Sequence, residues 1–378
     1  MNFELDEEQV MLKTSARDFL EKECPKKLVR GMMEDEKGYS PELWKKIADL
    51  GWLGLTFPEE YGGIGSSFLD LVVLLEECGR ALLPAPIIST VVLTGRPILA
   101  AGTDEQKKQF LPQITSGEMI LTLAFMEASA SLEASDITVT ATPSGNNFII
   151  NGTKLFVPDA HVADYLLCVT RTKDSSNKEE GITLFLVDAR TDGIKIEVLE
   201  TMTGEKLCGV VFNNVAVPKK NILGELDQGW SIMKRVLVEA QVAECAWMIG
   251  GARWAMETTI DYAKTRIAFE RPIGSFQAIQ HKLANIAVEV EGSTSIMYYA
   301  AWTIMENDPE MTLAASMAKS WCGETYKHAT FDGVQIHGGI GYTWDHDMHL
   351  YLKRAKACEV TFGDSDYHRE KVAQILKV

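Results

Sequence analysis

Glu244 stands inside the apolar run Gln241–Gly251, QVAECAWMIGG, where an ordinary solvated acid is out of place. A carboxyl desolvated there has its pKa raised and can take up or release a proton near neutral pH. Glu239 lies close by on the same helical pattern. For both, the bland alternative is a surface or salt-bridged glutamate, the usual fate of that residue. A second chemical feature is the cluster Gly338–Gly339 with Gly341 in HGGIG. Glycines let backbone N–H groups approach phosphate oxygens, although a lone glycine cluster is most often only a loop between helices. His337, His346 and His349 do not have the spacing of an HExxH zinc helix, and no GxSxG, P-loop or zinc motif is present.

Three kinds of texture position these residues. Through residue 117 the chain reads as helices. LDEEQVMLKTSARDFLEKEC carries Val10, Leu12, Ala16, Phe19 and Leu20 near a 3.6-residue period. SPELWKKIADLG opens with a serine cap and a proline at the first helical position, and Gly51 follows where such a helix stops. Thr103 caps a short helix through TDEQKKQFLPQI. From about Met119 the pattern alternates, with a hairpin signal at Pro143–Asn147 and strand-like runs ending near Pro218. From Trp230 onward three long helical segments follow, the expected material of a bundle. The expected architecture is α+β: an N-terminal helical domain (1–117), a middle β-barrel or sandwich-like domain (118–226) and a C-terminal antiparallel four-helix bundle (227–378).

Composition narrows the function classes. The chain has 378 residues, 46% of them hydrophobic and 24% charged, enough for a large core. A net charge of −16 argues against a nucleic-acid or anionic-membrane surface, so no nucleic-acid partner is expected. Seven scattered cysteines form no CxxC pair, which fits a reducing cytoplasm and neither a zinc site nor a disulfide framework. No metal site is expected. The longest apolar stretch, Phe68–Leu75, is too short to span a bilayer.

Three segments in order carry a family resemblance: FPEEYGG (Phe57–Gly63), FERPIGSFQAIQH (Phe269–His281) and QIHGGIGYT (Gln335–Thr343). Around a central β-region they resemble the acyl-CoA dehydrogenases over essentially the whole chain. The resemblance implies FAD bound in extended form at a subunit interface. It assigns Arg266, Phe269 and Gln277 to the cofactor, and Gln335, Gly338 and Gly339 to the turn that meets the ADP half of a neighbour's FAD. A planar, permanently charged guanidinium such as that of Arg266 suits a pyrophosphate. Glu127, Phe156 and Asp364 fall at further flavin-side positions. The family's Trp-x-Thr pair is replaced here by Phe156 and Pro158, so a hydroxyl is missing.

The same comparison leaves the base open. The final turn usually reads Tyr-Glu-Gly-Thr, and here it is Thr361, Phe362, Gly363 and Asp364. The alternative location on the long helix is Ala240. Glu244 lies one turn beyond Ala240 on the same face, whereas Glu239 is rotated by about 100°. Glu244 is therefore the first candidate for removing the α-proton and Glu239 the second. The implied activity is FAD-dependent oxidation of the Cα–Cβ bond of an acyl-CoA, with a cyclic, branched or dicarboxylic acyl group, to the 2-enoyl-CoA. An electron-transferring flavoprotein is the expected acceptor and a homo- or heterotetramer the expected assembly. The alternatives are a non-catalytic partner subunit of a heterotetramer, and a flavin enzyme of different outcome that needs no α-base.

Overall fold

The computed structural model describes residues 4–378. Eleven α-helices are described: α1 (Glu7–Glu23), α2 (Lys26–Glu34), α3 (Pro41–Asp49), α4 (Phe68–Ala81), α5 (Arg96–Ala101), α6 (Asp104–Thr115), α7 (Gly229–Thr265), α8 (Gln277–Met305), α9 (Met311–His337), α10 (Met348–Val360) and α11 (Ser365–Leu376). The strands of the middle region are β1 (Leu121–Ala124), β2 (Thr140–Ser144), β3 (Asn147–Pro158), β4 (Tyr165–Arg171), β5 (Ile182–Asp188), β6 (Ile194–Leu199), β7 (Leu207–Pro218) and β8 (Ile222–Leu223). The described residues divide into two compact units, one made of residues 4–31, 67–83 and 241–378 and the other of residues 32–66 and 84–240.

The second unit is built on one eight-stranded mixed sheet. Its order is β6-β7-β3-β2-β4-β5-β8, with β1 parallel to β4. Ser144 faces Asn147 across a two-residue turn, which sets the register of the β2–β3 hairpin. Alternation along β3 and β7 sends Phe148, Ile150, Val210, Phe212 and Val215 into a core shared with Cys168 and Phe185. Ser40 accepts the amide N–H of Leu43 at the start of α3, and Thr103 and Gln106 form a reciprocal capping box on α6. Residues Ile88–Gly95 adopt a π-helix, a rare geometry that no periodicity announces.

The first unit is helical apart from a short two-stranded ribbon of Ile267–Ala268 and Arg271–Pro272. α4 crosses α7 at close range. A Cβ on Gly79 would lie 2.1 Å from the carbonyl oxygen of Trp247, and one on Gly250 would lie 1.8 Å from that of Glu76. Only glycine permits this approach of two backbones. Glu76, buried beside the crossing, is met by Lys13 at 2.7 Å, the Tyr298 hydroxyl at 2.7 Å and Arg253 at 3.4 Å. Arg17 clasps the neighbouring Glu77 through two hydrogen bonds of 2.9 and 2.7 Å. α1 and α7 are thereby tied to α4 by ion pairs as well as by apolar packing.

Candidate functional site

Glu244 lies on α7 and is 8% exposed. Burial pushes its carboxyl up from the usual range, against the opposing pull of the Cys358 thiol and the Lys319 charge. Other buried carboxylates behave differently. Burial would raise Glu76, Glu127, Glu239 and Glu359 too, but adjacent cations more than offset it and hold each below its usual range. Glu244 thus combines burial with a tendency to stay protonated, the property a proton-transferring carboxyl needs near neutral pH.

Lys319, on α9, was not singled out by sequence reasoning. It is 1% exposed and donates to three carbonyl oxygens at the end of α10: Cys358 at 3.1 Å, Glu359 at 2.9 Å and Gly363 at 2.8 Å. Within that turn Phe362 has φ +56° and Gly363 φ +97°, both left-handed. His368 Nε2 donates to the Phe362 carbonyl at 2.9 Å. Burial, assisted by the Lys319 charge, lowers the imidazole pKa to about 4, so His368 is neutral at pH 7. The turn in which the resemblance locates a catalytic acid therefore carries Phe362 on a backbone gripped by a buried lysine. A lone lysine within the apolar stretch of α9 was the signal available in the sequence.

The geometry gives three of the sequence-predicted site residues other partners. Glu239 is not an available base: Arg96 binds it at 2.6 and 2.9 Å and Arg235 at 2.7 Å. Its negative charge is fixed by two guanidinium groups. Glu127 does not reach outward to a cofactor. It pairs with buried Lys154 at 2.6 Å and accepts the backbone N–H of Thr138 at 2.9 Å and of Val139 at 3.1 Å, so it ties β3 to the segment preceding β2. Asp364 caps α11, accepting the Tyr367 N–H at 2.8 Å.

The remaining cofactor candidates are exposed. In the helical unit these are Arg266, Gln277, Gln335, Gly338 and Gly339, with Phe269 at 89% exposure. A Cβ placed on Gly338 or Gly339 would meet nothing within 4 Å, and Gly338 has φ +65°. Tyr262, one turn before Arg266, stacks on His337 at 4.3 Å and donates to its carbonyl oxygen at 3.3 Å. The end of α7 and the glycine turn after α9 are thus pinned side by side. In the sheet unit, Phe156 is half-exposed on β3 with φ +55°. Pro158 has no side-chain donor, and its carbonyl accepts the Thr122 hydroxyl at 2.6 Å.

Comparison with known proteins decides the family. Profiles of the acyl-CoA dehydrogenase N-terminal, middle and C-terminal domains match residues 6–118, 122–215 and 227–377. The chain belongs to the acyl-CoA dehydrogenase family. It is 33% identical to a 3-(aryl)acrylate reductase of Clostridium sporogenes, over 98% of each chain. It is 30% identical to the caffeyl-CoA reductase-Etf complex subunit CarC of Acetobacterium woodii, again over 98% of each. The structure of butyryl-CoA dehydrogenase from Megasphaera elsdenii superposes with a TM-score of 0.91 at 29% identity, covering all of both chains. Members of this acyl-CoA dehydrogenase family are FAD-dependent oxidoreductases, and FAD is the cofactor that goes with the fold.

The residues present suit that group. An exposed guanidinium (Arg266), two exposed amides (Gln277 and Gln335) and an unobstructed glycine backbone (Gly338 and Gly339) fit a pyrophosphate and an adenosine. An outward aromatic face at Phe156 fits a flat ring, which it meets without a side-chain hydroxyl at position 158.

Proposed function

We propose that this acyl-CoA dehydrogenase family member oxidises the Cα–Cβ bond of an acyl-CoA thioester to the 2-enoyl-CoA, with Glu244 as the group that exchanges the α-proton. The observation that carries the reading is the raised pKa of a buried carboxyl on α7, set against the ion-paired state of the other candidate, Glu239. Ionised Glu244 takes the α-proton. FAD, when bound, accepts the hydride leaving the β-carbon. Arg266, Phe269 and Gln277 would hold FAD phosphates and adenosine at a subunit interface, Gln335, Gly338 and Gly339 would meet the ADP half of a neighbour's FAD, and Phe156 would offer its face to a flavin ring. Lys319 fixes the turn at Phe362 and supplies a positive charge that favours ionised Glu244. An electron-transferring flavoprotein is the proposed acceptor, in line with the Etf complex of the Acetobacterium relative. The proposed assembly is a tetramer.

A second direction is favoured by the same carboxyl. A group that stays protonated is poised to deliver a proton to the α-carbon while hydride arrives at the β-carbon, and two of the relatives are named as reductases. The test is an anaerobic spectrum of the purified chain with saturated and 2-unsaturated thioesters. Bleaching of the flavin by one saturated acyl-CoA supports the dehydrogenase. Re-oxidation of chemically reduced flavin by an enoyl-CoA alone supports the reductase. A colourless chain that takes up no FAD sinks both and leaves a partner-subunit role.

A further inference from the structure

The helical unit contains a cavity of about 280 Å3 remote in chemistry from Glu244 and from the exposed cofactor residues, and its wall draws on α1, α2, α4 and α7. One side is apolar: Leu20, Ala81 and the indole of Trp254, which is itself stacked on Tyr351 at 3.8 Å. The other side is polar and its donors are not all used. Arg17 spends Nε and Nη2 on Glu77. Arg80 gives Nη2 to Glu257 at 2.6 Å, while its Nη1 is buried with no hydrogen-bond partner. Lys26 donates to the carbonyl oxygens of Ala81 at 2.8 Å and Arg80 at 3.4 Å, which leaves the ammonium one further N–H.

A buried guanidinium nitrogen without an acceptor is costly, and an anion placed against it removes that cost. Of the three cations in the wall, Arg17 is paired with Glu77 and Arg80 with Glu257, whereas the Lys26 ammonium meets carbonyl oxygens and aromatic rings. One singly charged acceptor matches the charge of Lys26. A phosphate dianion matches neither that charge nor the apolar side formed by Leu20, Ala81 and Trp254. We propose that this cavity is a binding site for a small organic monocarboxylate, whose carboxylate bridges Arg80 Nη1 and Lys26 and whose apolar body lies against Leu20 and Trp254. The site stands independently of the function proposed above.

Protonation of Lys26 supplies a diagnostic. Burial lowers its pKa to about 8, opposed by Cys24, Asp347 and Glu21 and assisted by Arg80. The groups lining its surroundings are Arg17 and Glu21 from α1 with Cys24 just after it, Glu77 and Arg80 from α4, Glu257 from α7, and Asp347 just before α10 with Tyr351 in its first turn. Cys24, pushed up to about 11 by burial, stays neutral across this range. The cationic form binds the carboxylate. Affinity must therefore be full below pH 8 and fall above it, with proton uptake on binding at alkaline pH.

The experiment is calorimetric titration of the FAD-loaded full chain with 3-phenylpropanoate, butyrate and inorganic phosphate at pH 7.0 and 9.0. The expected result is one phenylpropanoate per chain, no change in the flavin spectrum, phosphate binding far weaker, and a Kd about tenfold higher at pH 9.0. Lys26→Met should abolish the pH dependence. Ala81→Met, which fills the cavity and keeps every charge, should abolish binding even if the lysine variant folds poorly. The proposal is overturned by no binding of phenylpropanoate, by equal binding of phosphate, or by an Ala81→Met protein that binds as the parent does.

Discussion

At the scale of single residues, the decisive contrast is between two glutamates five positions apart on one helix. Glu239 is held as an anion by Arg96 and Arg235, and Glu244 is buried with a raised pKa. The roles they can play follow from these partners. Glu244→Gln should retain FAD and lower turnover by about a thousandfold or more, since the proton-transferring group is lost while its shape is kept. Stopped-flow bleaching by acyl-CoA measures this, and full activity in the FAD-loaded variant would remove Glu244 from the mechanism. The pH profile adds a sign. A base must be ionised, so oxidation should rise with pH through the raised Glu244 pKa, whereas enoyl reduction should fall through it. Glu239→Gln should act on stability instead. It leaves two guanidinium groups short of a buried partner, at a cost of about 3 kcal/mol in urea unfolding. Helix geometry already ranks Glu239 second, and Arg235 one turn before it is visible in the sequence, but the double hydrogen bond from Arg96, 143 positions away, is not.

Elements transmit these effects. Lys319 on α9 grips the turn after α10 through three carbonyl oxygens, and Glu244 on α7 responds to its charge. Lys319→Met keeps the length and the packing but frees the turn. A loss of about 3 kcal/mol is expected, together with a shift of the Glu244-dependent pH limb to higher pH because a favourable cation is gone. A purely structural lysine would give the first effect without the second. The α4–α7 crossing makes a simpler demand. Gly250→Ala places a methyl on the Glu76 carbonyl oxygen and should cost several kcal/mol, read as a lower urea midpoint.

The elements themselves were largely visible in the sequence. Capping residues Ser40 and Thr103 mark real helix starts, and the hairpin turn falls between Ser144 and Asn147 as alternation implies. These signals are local, and local chemistry fixes them. The π-helix at Ile88–Gly95, the inward pairing of Glu127 with Lys154, and the clasp of Lys319 depend on partners distant in the chain, so no window of sequence contains them.

For the molecule as a whole, the informative surface is apolar and uncovered. Val288 on α8 is 74% exposed and Phe331 on α9 is 66% exposed. Each adjoins a polar contact that joins the two helices, a hydrogen bond between Glu289 and His328 at 3.3 Å and an ion pair between Lys282 and Asp332 at 2.6 Å. Trp321, also on α9, is half-exposed beside Gly292 of α8. Large exposed side chains on neighbouring helices make this face the proposed assembly surface. A net charge of −16 opposes that association, and a self-complementary apolar face must outweigh the repulsion. Sedimentation velocity of the parent should therefore show a tetramer whose dissociation is promoted at low ionic strength, where repulsion is least screened. Val288→Glu combined with Phe331→Glu adds two charges per chain to the face and removes two apolar contacts, and should release smaller species with unchanged helical content by circular dichroism. Since Arg266 and Gly338–Gly339 lie exposed in the same unit, flavin retention should fall with assembly if a neighbour completes their site. A monomeric parent, or a doubly charged variant that still sediments as a tetramer, would show that this face does not hold the assembly together.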